Sequence, residues 1–353
     1  MKIGFTYNMR RGNLPPESID PELVAEIAPG IAGVDNFAEW DDESTVNDLR
    51  DTLSRYHDVI PIEATEDAFE KLRSSRPDLV FNVAEGTFGA ARESVIPAML
   101  EMLRIPYTGS DPVTLGLCLD KARTKEILSF RGLPTARFGV LERWPLDGQL
   151  RHVKYPVFVK PLFEGSSKGI WMDAVVTRSR ELKEAVEKVW NVYQQPALVE
   201  EYLPGREFTV ALLGNGTSLR VLPIVEISFD SLPEGAQPIY SYEPKWLWDS
   251  PEHQLDIYKC PAELDDPLKN RIETLCKKAF TYLGCRDLCR IDVRLDARGE
   301  PHVLELNPLP GLIKDPSVSS CFPKAARTAG MSFDELILTI IGEACSRLGI
   351  LND

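Results

Sequence analysis

The sequence predicts an α/β protein that shades into α+β toward its C-terminus, built as three domains. The first hundred residues alternate apolar runs with amphipathic stretches, the pattern of an open parallel sheet with crossover helices. From residue 206 the alternation tightens to period two on either side of Gly214-Asn215-Gly216, which marks an antiparallel hairpin. The 353 residues, 43% of them hydrophobic, suffice for two or three ordinary cores.

Residues 1–112 form the first expected domain. It should hold strands at 2–7 and 58–62, a third strand through Asp78-Leu79-Val80-Phe81-Asn82-Val83, and helices near 43–56 and 65–74. Residues 8–40 are weakly periodic and rich in Pro, Gly and acids, so a long loop or short helices are expected there. The turn-rich run at 105–112 closes the domain. In the second domain, 113–205, Asp120 reads as the N-cap of a helix that ends before Gly132 and Pro134. Strands follow at 157–160 and 197–200, around a helix at 178–191. The third domain, 206–353, opens with a hairpin of 207–213 against 219–225. Helices at 267–283 and from Phe333 to Leu348 carry apolar stripes that belong to a core.

A net charge of −14 repels phosphate backbones and anionic lipid, so no nucleic-acid or membrane partner is expected. The N-terminus turns polar by Asn8, and no later run approaches ~18 apolar residues, which argues against a signal peptide or a membrane span. Seven scattered cysteines, an odd number, point to reduced thiols and a cytoplasmic protein. Cys285 and Cys289 lack a second pair or nearby histidines, which favours core packing over zinc.

The chemistry is concentrated in a few segments. In Arg290-Ile291-Asp292-Val293-Arg294-Leu295 the odd members face a core, and Arg290, Asp292 and Arg294 share the other face. Across a turn, Glu305 and Asn307 also share a face. Asp292, Glu305 and Asn307 together are hard oxygen donors suited to Mg²⁺, two ions of which bridge nucleotide phosphates; Mn²⁺ can substitute. The plainer alternative is a solvated polar hairpin. Lys160 ends a strand before Glu164-Gly165-Ser166-Ser167-Lys168-Gly169, a small-residue loop whose amides can approach phosphate, or which is a mere turn. There is no Walker loop and no Gly-x-Gly-x-x-Gly after the first strand. Lys121 opens a helix, as a phosphate contact or as a surface lysine. Glu200 leaves a strand into a segment able to read an adenine edge, with Glu207 positioned for ribose; otherwise both are simply acids at strand ends.

In order, these segments are Tyr107-Thr108-Gly109-Ser110, Leu119-Asp120-Lys121, Val159-Lys160-Pro161 with its glycine loop, Glu200 to Val210, Gly284-Cys285, Arg290-Ile291-Asp292-Val293 and Glu305-Leu306-Asn307-Pro308. That order resembles the D-alanine–D-alanine ligase family over roughly residues 78 to 345. The resemblance implies an ATP-grasp fold whose central and C-terminal domains clamp ATP. It also implies a ligase that joins a small-molecule carboxylate or amino acid to an amine through an acyl phosphate. By family role Lys121 and Lys160 contact the phosphates, Glu200 and Leu203 line the adenine site, and Glu207 holds ribose. Asp292, Glu305 and Asn307 hold two Mg²⁺ ions, Arg290 stabilises the acyl phosphate, and Ser166 sits beside the substrates. A homodimer is compatible with these residues. Two other readings are an ATP-grasp ligase acting on a different acceptor, as mycosporine ligases do, and a nucleotide-binding protein with a decayed site.

Three departures stand out. The family's Gly-Gly-x-Ser-x-Glu segment, whose Glu receives the first substrate's ammonium, is replaced by Tyr7-Asn8-Met9-Arg10-Arg11-Gly12. Glu85, where the family has a His-Gly loop, is the expected substitute. The loop after Asn307 is long, with Ser317 as the expected contact for the second substrate's carboxylate. Trp246 stands where the family has a Tyr in the polar network of the first-substrate pocket, so D-alanine is expected to be a poor first substrate.

Overall fold

The structure is a computed structural model that describes residues 1–10, 39–87, 89–142, 150, 152–233, 235–241 and 257–350. The chain begins with β1 (Lys2–Tyr7), a short pairing of β2 (Met9–Arg10) with β3 (Asp41–Asp42), α1 (Glu43–Ser54), β4 (Asp58–Glu63), α2 (Ala68–Ser75) and β5 (Leu79–Asn82). The three longer strands form a parallel sheet in the order β4-β1-β5. Parallel neighbours need crossovers, and α1 and α2 supply them. Helix α1 starts where it does because the Asp42 carboxylate accepts from the Thr45 amide at 2.7 Å. Its stripe of Val46, Leu49 and Leu53 is buried.

Beyond β5 come α3 (Val95–Leu103) and α4 (Pro112–Leu119). The run at 105–112 is a turn only in part, because Pro112 opens α4. Proline at the first helical position gives up an amide that has no partner there anyway, and Asp111 caps the Thr114 amide at 2.8 Å. Helix α3 lacks a side-chain cap, so nothing at its start announces it.

The middle of the chain holds α5 (Lys121–Phe130), β6 (Phe138–Leu141), β7 (Val157–Pro161), β8 (Val175–Val176), α6 (Ser179–Tyr193) and β9 (Ala197–Glu201). Its four strands form an antiparallel sheet in the order β6-β9-β7-β8. The last part contains β10 (Glu207–Leu213), β11 (Arg220–Val221), β12 (Val225–Ile227), β13 (Tyr258–Lys259), α7 (Asp266–Leu283), β14 (Leu288–Leu295), β15 (Pro301–Asn307), α8 (Cys321–Thr328) and α9 (Phe333–Leu348). These strands are antiparallel in the order β13-β12-β10-β14-β15, with β11 also on β10. The expected second hairpin arm at 219–225 is therefore two short strands. Pro223 has no amide for the ladder, and residues 222–224 face only 210 and 211 between the registered pairs Leu212–Val221 and Thr209–Val225.

The ends of the chain share one core, in which Ile3, Phe5 and Leu49 pack with Leu213, Leu288, Ile337 and Ile341. The middle sheet has its own, built from Val157, Val159, Val186 and Val199. Asp287, fully buried and in the left-handed region at φ 62°, ties the ends together. It accepts from the Gly109 amide at 2.8 Å, the Asn215 amide group at 2.8 Å and the Arg347 guanidinium at 2.8 and 3.0 Å. All seven cysteines are free thiols, and Cys285 and Cys289 lie in the core. Among the described residues no helix is long and apolar enough to cross a membrane.

Candidate active site

Where the middle sheet faces the C-terminal sheet, a cleft of about 540 Å³ opens, lined by Lys160, Glu200, Leu203, Glu207, Asp292 and Glu305 among others. Lys160 on β7 and Glu200 on β9 project from the same face because Lys160 registers with Leu198, two residues before Glu200. The Lys160 ammonium lies 3.0 Å from one Glu200 oxygen, and Lys125 lies 2.7 Å from the other. Lys125, wholly buried on α5, donates onward to Thr135 at 2.8 Å, and Thr135 donates to the Val303 carbonyl at 2.8 Å. Burial alone would raise the Glu200 carboxyl, yet Lys125 and Lys160 overcome it and hold it at about 2. Lys121, the first residue of α5, is also buried and donates to the Glu164 carbonyl, 3.9 Å from Glu305.

The opposite wall is β10, β14 and β15. Register pairs Asp292 with Glu305 and Arg290 with Asn307, so the two strands turn Arg290, Asp292 and Glu305 to the cleft and Asn307 to a smaller cavity beside it, while Ile291, Val293 and Leu306 fill the core. Asp292 accepts from Thr209 at 2.6 Å, from Asn307 at 3.1 Å and from Arg290 at 3.1 and 3.0 Å. Because Asn307 spends its amide nitrogen on Asp292, its carbonyl oxygen is left for another partner. Glu207 is held by Arg294 at 2.6 Å, and Arg294 reaches Tyr202 at 3.0 Å. Among the described residues no three His, Cys, Asp or Glu side chains form a metal cluster. The oxygen set here is two carboxylates completed by an amide.

The glycine loop lines both this cleft and the smaller cavity beside it. Ser166 and Ser167 both occupy the left-handed region, at φ 51° and 61°, a conformation that serine adopts at a cost of ~1–2 kcal/mol each. The surroundings hold it there. The Gly165 amide donates to Glu39 at 2.8 Å, Arg92 donates to the Phe163 carbonyl at 2.9 Å, and Ser167 donates to the Tyr240 carbonyl at 3.0 Å. Glu39 also accepts both terminal bonds of one Arg92 nitrogen, at 2.9 and 2.8 Å, and one from Lys168 at 3.2 Å. Burial would raise the Glu39 carboxyl, but Lys168 and Arg92 keep it at about 2.

The model of the D-ala D-ala ligase C-terminus family matches residues 127–342. A D-alanine–D-alanine ligase of Pelotomaculum thermopropionicum is 32% identical over 83% of this chain and 88% of its own. The chain belongs to the D-alanine–D-alanine ligase family. It is also similar to the uncharacterized protein y4sG of Sinorhizobium fredii, 39% identical over 76% of this chain and 75% of that one. A crystal structure of D-alanine–D-alanine ligase from Bacillus anthracis complexed with ATP shares the fold, with a TM-score of 0.70, 23% identity and 98% of both chains covered.

As a D-alanine–D-alanine ligase family member the chain is an ATP-dependent ligase with an ATP-grasp fold. Lys121, Lys160, Glu200, Leu203, Glu207, Arg290, Asp292, Glu305, Asn307 and Ser166, singled out in the sequence, line two adjoining cavities. Glu85 lines the smaller of these, of about 110 Å³. Ser317 lies on the cleft, exposed, with its hydroxyl and amide both given to Asp315 at 2.7 and 2.8 Å. Trp246 lies outside the described residues. Sequence reasoning missed Lys125, Lys168, Arg92 and above all Glu39, which sits in the weakly periodic run where no pattern marks it. The only signal was indirect: buried Arg92 and Lys168 need a carboxylate.

Glu39 leads to the first prediction. A methyl group on Gly165 would meet Glu39 Oε1 at 2.5 Å, and three donors hold that carboxylate in place. Gly165→Ala is expected to displace the loop and lower kcat/KM by about 10²-fold, as misplacement by an ångström does, with little change in thermal midpoint. Steady-state ADP release compared with a melting curve checks this.

Proposed function

We propose that the chain joins two small amino acids, phosphorylating the carboxylate of one with ATP and letting the amine of the other displace phosphate. The relatives named D-alanine–D-alanine ligases support peptide formation of this kind. The observation that carries the reading is the convergence of Lys121, Lys160 and Arg290 with Asp292 and Glu305 on two adjoining cavities that share the glycine loop.

In this reading Lys121 and Lys160 bind the phosphates, Glu200 and Leu203 the adenine, and Glu207, through its oxygen not taken by Arg294, the ribose. A carboxylate is a poor electrophile, and its phosphorylation turns one oxygen into a leaving group. Arg290 is positioned to stabilise the charge that builds on the acyl phosphate and the tetrahedral oxyanion. Ser166 would orient the substrates, and the closed loop would exclude the water that otherwise hydrolyses the acyl phosphate. Asp292, Glu305 and the Asn307 carbonyl fit Mg²⁺, since all are hard oxygens on adjacent strands. The ion would neutralise charge on the transferring phosphoryl group.

An oxygen-18 label in the first substrate's carboxylate is expected in the released phosphate, read by mass spectrometry. Label in AMP would mean adenylation and overturn the mechanism.

A further inference from the structure

The small cavity beside Ser166 and Arg290 contains more negative charge than the reaction uses. Asp41 on β3, Glu85 in the loop after β5 and Glu93 in the single turn at Arg92–Ser94 all line it. Glu93 is only 9% exposed, and among the described residues its carboxylate has no hydrogen bond and no ion pair. Asp41 and Glu85 have none either. Their neighbours Glu39 and Glu164 are different: Arg92 and Lys168 pair with both. Lys121 and Arg290 also line the cavity but are engaged elsewhere, Lys121 with the Glu164 carbonyl and Arg290 with Asp292 at 3.0 Å, while Arg92 acts on Glu85 and Glu93, and Arg10 on Asp41, only at a distance.

Such carboxylates are costly to bury, and burial pushes Asp41 and Glu93 up to about 7 and Glu85 well above its ordinary value. A site built this way lowers its free energy by taking up a cation. One ammonium group would leave two of the three carboxylates to be neutralised by protons. Two ammonium groups a short distance apart would leave one, which can hold a proton.

We propose that this cavity takes an α-amino acid with a second ammonium group on a short side chain, so that the first substrate is a diamino acid rather than alanine. The cavity's volume of about 110 Å³ favours the shorter members of that class. The inference rests on the amino-acid ligase reading and deepens it. It also supplies what the missing family glutamate leaves open, since Glu93 and Asp41 join Glu85 as the receiving carboxylates.

The test compares 2,3-diaminopropionate and 2,4-diaminobutyrate with alanine and serine, both enantiomers of each, as the sole amino acid with MgATP. The best diamino acid is expected to exceed alanine in kcat/KM by at least about tenfold. Glu93→Gln, which keeps size and shape, should reduce that ratio at least about tenfold, mainly through KM, and Glu85→Gln should act in the same direction. Alanine equal to or better than every diamino acid, or a ratio unmoved by both variants, overturns the proposal. If no amino acid turns over, the ligase reading fails. Calorimetric titration of diaminopropionate and alanine into the ADP- and Mg²⁺-saturated protein then decides the cavity alone. Tighter binding of the diamino acid that Glu93→Gln abolishes upholds it, and equal or absent binding overturns it.

Discussion

Glu305→Gln is expected to lower kcat by at least about 10²-fold and to leave the fold unchanged. Two facts separate these effects. The ion pairs of Glu305 are long, 3.9 Å to Lys121 and 3.8 Å to Lys160, so the native structure loses little when its charge goes. In the proposed function the same charge holds a cation between strand β15 and the lysines Lys121 and Lys160. Asp292→Asn should lose as much activity but also stability, because Asp292 anchors Arg290 at 3.0 Å. A Mg²⁺ titration of phosphate release, beside urea unfolding, checks both. Undiminished activity of Glu305→Gln at low Mg²⁺ would remove this residue from the metal site.

The second large effect is on stability. Lys125→Met is expected to cost ~3 kcal/mol, because it leaves Glu200 buried with one cation instead of two. Lys125 lines neither of the two cavities described, so a higher KM for ATP would follow through a displaced Glu200. The sign with pH is fixed by Glu200, whose carboxyl drops from 4.5 in the unfolded chain to about 2. Its contribution is complete above pH 4.5 and fades as pH falls toward 2, so the gap between wild type and variant should narrow in acid. Adding Glu200→Gln to Lys125→Met should recover part of the loss. A gap that widens in acid, or a double variant no better than the single one, would contradict this account.

Much of this was legible in the sequence, and for identifiable reasons. The strands carrying Lys160 and Glu200 are buried apolar runs and the strand carrying Arg290 alternates, so each declared itself. Asp120 caps its helix by its side chain, and that boundary was readable, whereas the helix expected at 267–283 starts one residue earlier, behind the Asp265 cap. Helix α3 has no cap to read, and Pro112 counted as a turn residue although it opens a helix. The charge pairs were harder still. Lys125 and Glu200 are 75 positions apart, and Glu39 and Lys168 are separated by 129, distances over which local pattern says nothing. Glu85 was legible as an acid by the cavity, but its partners Asp41 and Glu93 became visible only when β3 and the turn at Arg92–Ser94 were brought beside it.

The shared core of Ile3 and Phe5 with Ile337 and Ile341 has a mechanical consequence. Both ends of the chain are sewn into one anvil, with Asp287 as the rivet, while the middle keeps a separate small core. The jaw of this vice is therefore an insertion of residues 138–201, because Leu128 and Leu133 before it still pack with Ile272 and Leu275 of the anvil side. Trimming either terminus would weaken the anvil itself and leave the jaw intact with nothing to close on.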